Sequence, residues 1–188
     1  MAIKQFNLRQ GQRAERKLLI TVAEWKETAG TSENTVREIL GTRTEDSSIE
    51  YNADIETTTD IRGINYTDVN RTQPQQDFDP YLILGGSKLG AFLNDVRKRN
   101  AVSELNQFTI YVITAFVGDS TNGYEAEKHD GCTISYNSIG GDANVNMPIT
   151  VYLSNDGYDS NGKSTGAPVT GTVDKLTDDF TFTPDLTV

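Results

Sequence analysis

One octapeptide satisfies the phosphate-loop spacing G-x-x-x-x-G-K-[ST]: Gly157-Tyr158-Asp159-Ser160-Asn161-Gly162-Lys163-Ser164. In a working phosphate loop, backbone N–H groups wrap the phosphates and a following helix aims its positive end at them. Ile149 to Leu153 supplies a strand ahead of the octamer. Thr165-Gly166-Ala167-Pro168-Val169-Thr170-Gly171, behind it, cannot supply the helix, because proline, glycine and β-branched residues all oppose helical backbone. Asp159 also places a negative charge where phosphate would sit, so a hairpin loop is expected. Asp159, Asn161 and Gly162 echo a calcium loop, yet Gly157 and Pro168 occupy its first and twelfth positions, where carboxylates are needed. An ordinary turn is the expectation, with a weak surface ion site in loop 156–162 as the alternative.

His129 and Cys132 are the sole residues of their kinds. A zinc site takes about four N or S donors, which two residues cannot provide. A Cys–His nucleophile pair would lack a visible third partner. They read as a surface histidine at a turn beside a small buried thiol. Carboxylate pairs such as Asp77/Asp79 and Asp178/Asp179 are commonplace in a chain with 27 acidic residues and read as solvated loop charges. No catalytic residues, cofactor site or metal site are expected, and the chain does not read as an enzyme.

The elements around these residues are mostly strands. Leu18 to Trp25 is a first strand, followed by a polar loop around Gly30 to Asn34 with at most one short helical turn. Ile49 to Thr58 alternates strictly: Ile49, Tyr51, Ala53, Ile55 and Thr57 against Glu50, Asn52, Asp54, Glu56 and Thr58. That period predicts one packed face and one wet, negative face. Gly63 is a turn, and Ile64 to Gln73 returns as the second strand of a long hairpin, with a bulge or an exposed arm. Pro74, Gln75, Gln76 and Pro80 end it. Leu89, Phe92, Leu93 and Val96 form one apolar stripe, predicting a helix over about 87–99. Ser87 caps its start, Arg97-Lys98-Arg99 suits its negative end, and Asn100 stops it. The stripe reads as core packing. Phe108 to Val117 is apolar at nearly every position, as in a central strand covered on both faces. Further strands are expected near Cys132 to Tyr136, Met147 to Leu153, Val169 to Val173 and Phe180 to Thr183. The fold class is mainly β: an antiparallel β-sandwich or barrel with one flanking α-helix and an extended hairpin or loop arm.

The 188 residues suit one domain, residues 18–188, behind a basic N-terminal arm, residues 1–17. No stretch approaches the roughly 20 apolar residues of a membrane span. The N-terminus lacks signal-peptide features, and one cysteine rules out an internal disulfide framework, so folding in a cytoplasm is expected. The net charge is −10, yet the arm holds five bases (Lys4, Arg9, Arg13, Arg16, Lys17) against one acid, Glu15. A body that acidic repels nucleic acid. The arm is suited to nucleic acid or to a neighbour's acidic body, and the matching charge favours the neighbour.

In the order of its segments the chain resembles the tail tube proteins (major tail proteins) of long-tailed bacteriophages, from about Leu18 to Pro184. The resemblance is carried by Ile49 to Gly63, by Gly85-Gly86-Ser87-Lys88-Leu89-Gly90-Ala91-Phe92-Leu93 and by the apolar strand from Tyr111 to Phe116. It continues through Tyr124 to Ile134 and Ser138-Ile139-Gly140-Gly141-Asp142. It closes with Gly171-Thr172-Val173 and Phe180-Thr181-Phe182-Thr183-Pro184.

The resemblance implies a β-sandwich with a flanking helix that assembles with copies of itself. Inner strands would join into one barrel around a channel, in hexameric rings stacked as the tube through which the genome leaves. It implies a place in the virion after assembly in the bacterial cytoplasm. Its partners would be the tape measure protein, the tail terminator and the distal tail or baseplate proteins. Double-stranded DNA would pass without specific binding, and no membrane insertion by this chain is implied. Within that frame Glu50, Asp54 and Glu56 face the lumen, since a channel passing DNA needs a wall that does not bind it. Lys4, Arg9, Arg13, Arg16 and Lys17 would make contacts between subunits or rings. The alternative is a carbohydrate-binding or adhesin-like β-sandwich, with Tyr124, Tyr136, Tyr152 and Tyr158 as its aromatic row.

Overall fold

The computed structural model describes residues 6–29, 32–44, 47–159 and 161–185. The first strands are β1 (Leu19–Ala29), β2 (Ser32–Ile39), β3 (Ile49–Glu50), β4 (Asp54–Thr59), β5 (Asn65–Arg71) and β6 (Gln75–Phe78). Helix α1 (Lys88–Arg99) follows, then β7 (Phe108–Asp119), β8 (Gly123–Tyr136), β9 (Ile149–Tyr152), β10 (Val169–Val173) and β11 (Phe182–Pro184).

Strand β7 lies between β1 and β8, antiparallel to both. Its apolar run is explained by cover on both faces: Phe108, Ile110 and Val112 enter one buried cluster, Tyr111 and Ile113 another. Strand β8 serves two sheets. Its first half pairs with β10, which pairs with β11, while Thr133 to Tyr136 pair with β9, which leads to β6 and β3. The passage falls at a register shift, where Phe108 faces Cys132 and Ile110 faces His129. Gly131, at φ 71, supplies the left-handed residue there. A bulge of this kind bends a strand, which lets one chain segment turn from one layer into the next.

The larger core lies between the two sheets and α1. It joins Ala23 and Trp25 of β1, Phe78 of β6, Leu89, Leu93 and Val96 of α1, Cys132 and Ile134 of β8, and Ile149 and Val151 of β9. A buried hydrogen bond from Thr21 Oγ1 to Gln76 Oε1, 2.8 Å, ties β1 to β6 across it. The smaller core lies on the other face of β1 and β7. Phe180, Leu176 and Phe182 of the C-terminal segment cover Val22, Tyr111, Ile113, Ala126 and Val173.

The mainly β, antiparallel fold with a single α-helix is as expected, and of the two forms anticipated it is sandwich-like, because the sheet does not close into a barrel. Helix α1 also follows the reading of its sequence. Ser87 Oγ accepts the Gly90 N–H at 3.0 Å, and Asn100 ends the helix in the left-handed region, φ 54.

Four local expectations are corrected. The polar stretch around residues 30–34 does not stay a loop: β2 begins at Ser32 and pairs with β1 out to Ala29. It is an edge strand, so its polar outer side raised no apolar signal. Gln75 to Phe78 do more than terminate the hairpin, since β6 starts directly after Pro74 and buries Gln76 and Phe78. The alternating run from Ile49 is two strands in two different sheets, with Asn52 left-handed at φ 44 between them. Finally, His129 is buried within β8, because the strand extends back to Gly123 and carries it inside.

Candidate functional site

Strands β4 and β5 form a two-stranded sheet of their own. Its two legs are tied at the base, where Gln73 N–H donates to Tyr51 O at 2.9 Å and Asn52 Nδ2 donates to Gln73 O at 3.1 Å, and the body holds that base through Asn155 Nδ2, which donates to Thr72 O at 2.6 Å. Along it, Thr57 and Thr67 hydroxyls meet at 3.2 Å, and Thr59 Oγ1 donates to Asn65 Oδ1 at 2.6 Å. A register shift between Asp54 and Ile55 marks the expected bulge.

The turn is rigid. Asp60 Oδ1 accepts the backbone N–H groups of Arg62 at 2.8 Å and Ile64 at 2.9 Å, and Gly63, at φ 77, donates its N–H to Asp60 O. The Ile64 N–H holds the Asp60 carboxyl below its ordinary value. This is a locally satisfied loop of the Asx type.

Alternation predicted a packed face for this segment, and the isolated chain does not pack it. Ile55 is 60% exposed, Val69 opposite it 63%, Tyr51 59%, and Ile61 at the turn is fully exposed. Ile64 and Tyr66 are exposed as well. Period two states that the two faces differ; it does not state that one of them is covered within the same chain. On the opposite face Glu56 stands directly across from Asp68, an unfavourable like-charge pairing.

The three acids of the predicted wet face separate. Glu50 lies in β3, in a cross-strand row with Gln75, Tyr152 and Thr133. The next row on the same side holds Asp77, Thr150 and Ser135, with Thr150 Oγ1 donating to Asp77 Oδ1 at 2.6 Å. Between these rows, Gln76, Val151 and Ile134 point into the core. The outer face of the smaller sheet of the sandwich, formed by β3, β6, β9 and the end of β8, is therefore polar, and these two rows hold two carboxylates and no cation. Asp54 and Glu56 sit on the projecting hairpin instead.

Within the basic arm, Lys4 lies outside the described residues. Arg9 and Arg13 are exposed. The Arg16 guanidinium reaches Ser47 O at 2.8 Å and Leu19 O at 2.6 Å, and Lys17 pairs with Glu15 at 2.6 Å. Asn7 N–H donates to Phe116 O at 3.0 Å, and the Phe6 ring meets Phe116 edge-on, which clips this end of the arm to β7.

The phosphate-loop-like octamer turns back on itself. Asp159 Oδ1 accepts the N–H groups of Asn161 at 2.8 Å and Lys163 at 2.9 Å, Tyr158 bridges to Ser164, and no helix follows. Two of the amides that would face phosphate are taken up by the loop's own carboxylate. Among the described residues no group of three or more His, Cys, Asp or Glu side chains could hold a metal ion.

Burial pushes the Cys132 thiol up to about 11, even though the Ser154 N–H donates to its sulfur at 3.3 Å. A thiol so placed stays protonated and is a poor nucleophile. His129 Nδ1 lies 2.7 Å from Ser154 O, a carbonyl that can only accept, so Nδ1 carries a proton and donates it. Its buried Nε2 has no hydrogen-bond partner, with Glu127 Oε2 at 3.6 Å, beyond hydrogen-bond reach. Of the four tyrosines singled out in the sequence, Tyr152 and Tyr158 are exposed, while Tyr124 and Tyr136 pack against the two cores. No helix among the described residues is long and apolar enough to cross a membrane.

No protein-family model matches this chain, and a search of curated proteins finds no match.

Proposed function

We propose that the chain is a structural subunit that assembles with copies of itself into the stacked hexameric rings of a bacteriophage tail tube. The observation that carries this reading is the β4–β5 hairpin, whose described residues on both strands are exposed. A lone two-stranded hairpin is marginal in water, and one presenting Ile55, Val69, Ile61 and Ile64 loses further by leaving them wet. Burial against another subunit removes that cost. The apolar alternation in the sequence then describes a face completed by assembly.

Two further features support the reading. Strand β2 borders the larger sheet; Lys88 meets its Arg37 carbonyl at 3.3 Å, and the rest of such a border is a template for strand addition from a neighbour. The outer face of the smaller sheet, with Glu50 and Asp77 and no cation in its rows, has the chemistry of a wall past which DNA slides. Ring symmetry would repeat those carboxylates around the channel.

Sedimentation velocity over a concentration series, with negative-stain microscopy of the concentrated protein, tests the proposal. Rings or tubes with a central hole are expected. A protein that stays monomeric at high concentration, with tape measure protein present, overturns it; saturable glycan binding by that monomer would favour the adhesin-like alternative.

A further inference from the structure

Resting on the assembly reading, we infer that the cleft between residues 82–91 and 139–145 receives the hairpin tip of a second copy, with Ile61 as the anchor. Outside the hairpin and its base, Ile139 and Val145 are exposed large hydrophobics that line one and the same cleft. Leu82, Ile83 and Leu84 complete its apolar wall, and its volume is about 570 Å³. That volume lies in the range that encloses a drug-sized molecule, so more than one side chain of a turn fits.

The tip has the matching form. Its backbone is fixed by the Asp60 carboxylate, so little freedom is lost when it docks. Ile61 and Ile64 flank that turn, where polar residues are the norm. Charge agrees as well. The hairpin carries Asp54, Glu56, Asp60 and Asp68 against Arg62 and Arg71. Among the described residues the cleft has no acidic lining residue; it has Arg43, and Asn94 on its wall accepts a hydrogen bond from Arg97 at 3.0 Å.

The other grooves suit an acidic tip less well. The clefts beside Lys88 are lined by Glu38, Glu27, Asp178 or Asp179. The groove beside Arg16 holds about 290 Å³, and Lys17 there is already paired with Glu15. Tip and cleft are different surfaces of one molecule, so in the rings of the assembly reading each copy gives its tip to one neighbour and its cleft to another, a head-to-tail contact.

Head-to-tail contacts allow a decisive mixing experiment with the full chain. Ile61→Asp destroys the tip and keeps the cleft; Val145→Asp does the reverse. Both positions are on the surface, and thermal melts establish that each variant folds. In sedimentation velocity each variant alone is expected to lose at least tenfold in association, while their equimolar mixture forms a 1:1 dimer that grows no further. A mixture that remains monomeric, or either variant assembling like the wild type, overturns the contact. If the wild type assembles but the variants do so equally, this contact fails and the assembly reading stands. A wild type that is monomeric at every concentration overturns both.

Discussion

Glu38 on strand β2 and Leu89 on helix α1 are joined by a hydrogen bond of 2.9 Å, the carboxylate accepting the backbone N–H of the helix's first turn. The same carboxylate accepts the Lys88 N–H and the hydroxyls of Ser87 and Tyr81. An edge strand therefore supplies the anion that the positive end of α1 attracts. Burial holds the Tyr81 hydroxyl well above its ordinary pKa, with Glu38 adding to the effect.

Glu38→Gln is expected to destabilise the chain by about 1–3 kcal/mol, the range for removing a charged hydrogen-bond acceptor from such a site. Urea unfolding reads the loss as a lower midpoint at unchanged slope. An unchanged midpoint would show that water serves the helix end equally well.

Arg37 holds the C-terminal segment down. Its guanidinium lies 4.5 Å from the Phe180 ring centroid, donates to Phe180 O at 2.6 Å, and pairs with Glu24. Arg37→Lys loses the planar fork and the stacking together. Limited proteolysis is expected to cut within residues 174–185 several-fold faster in the variant, with the remaining body intact.

Cys132 gives a pH prediction of definite sign. Its folded pKa is raised above the unfolded value of 9.0 to about 11. The unfolded state releases its proton first, so this contribution is fully present below pH 9 and is lost between about pH 9 and 11. Wild type minus Cys132→Ala, compared by urea unfolding across that window, isolates the thiol from the tyrosines and lysines that titrate nearby. In the native state the thiol should resist disulfide reagents and react once unfolded; rapid native reaction would contradict its burial.

The Asp60 turn has the opposite sign. Its carboxyl is held below the ordinary value of 3.8 by the Ile64 N–H, so the turn's contribution is present above that value and is lost as pH falls below it. Protection of the Ile64 and Arg62 amides, measured against the intrinsic exchange rate at each pH, is expected to fall at low pH, and in Asp60→Ala at neutral pH. Identical exchange in the variant would show that Gly63 alone shapes the turn.

Glu50 tests the proposed wall. Glu50→Lys is expected to assemble as the wild type does, and to retain duplex DNA at low salt in a salt-sensitive way that the wild type does not show. Equal DNA retention by both would place Glu50 away from any channel.

Some elements are local matters and were legible from the chain alone. Leu89, Phe92, Leu93 and Val96 lie on one side of a 3.6-residue period, and Ser87 and Asn100 bracket them, so α1 follows from neighbouring residues. The apolar run from Phe108 likewise marks β7 as a strand covered twice. Turn chemistry at Gly63 announced the hairpin.

What covers each face was decided elsewhere in the molecule. Strand β6 follows a proline and reads as polar, yet Gln76 is buried because Thr21, more than fifty residues earlier, meets its amide across the core. His129 is inside because β8 runs unbroken through it and then bends at Gly131. Ile49 and Ile55 share one sequence pattern, but Ile49 packs on the core and Ile55 faces water. Periodicity records which side of a strand is apolar, because that depends on the strand alone; burial depends on a second surface, and only the assembled layers determine whether the same chain provides it.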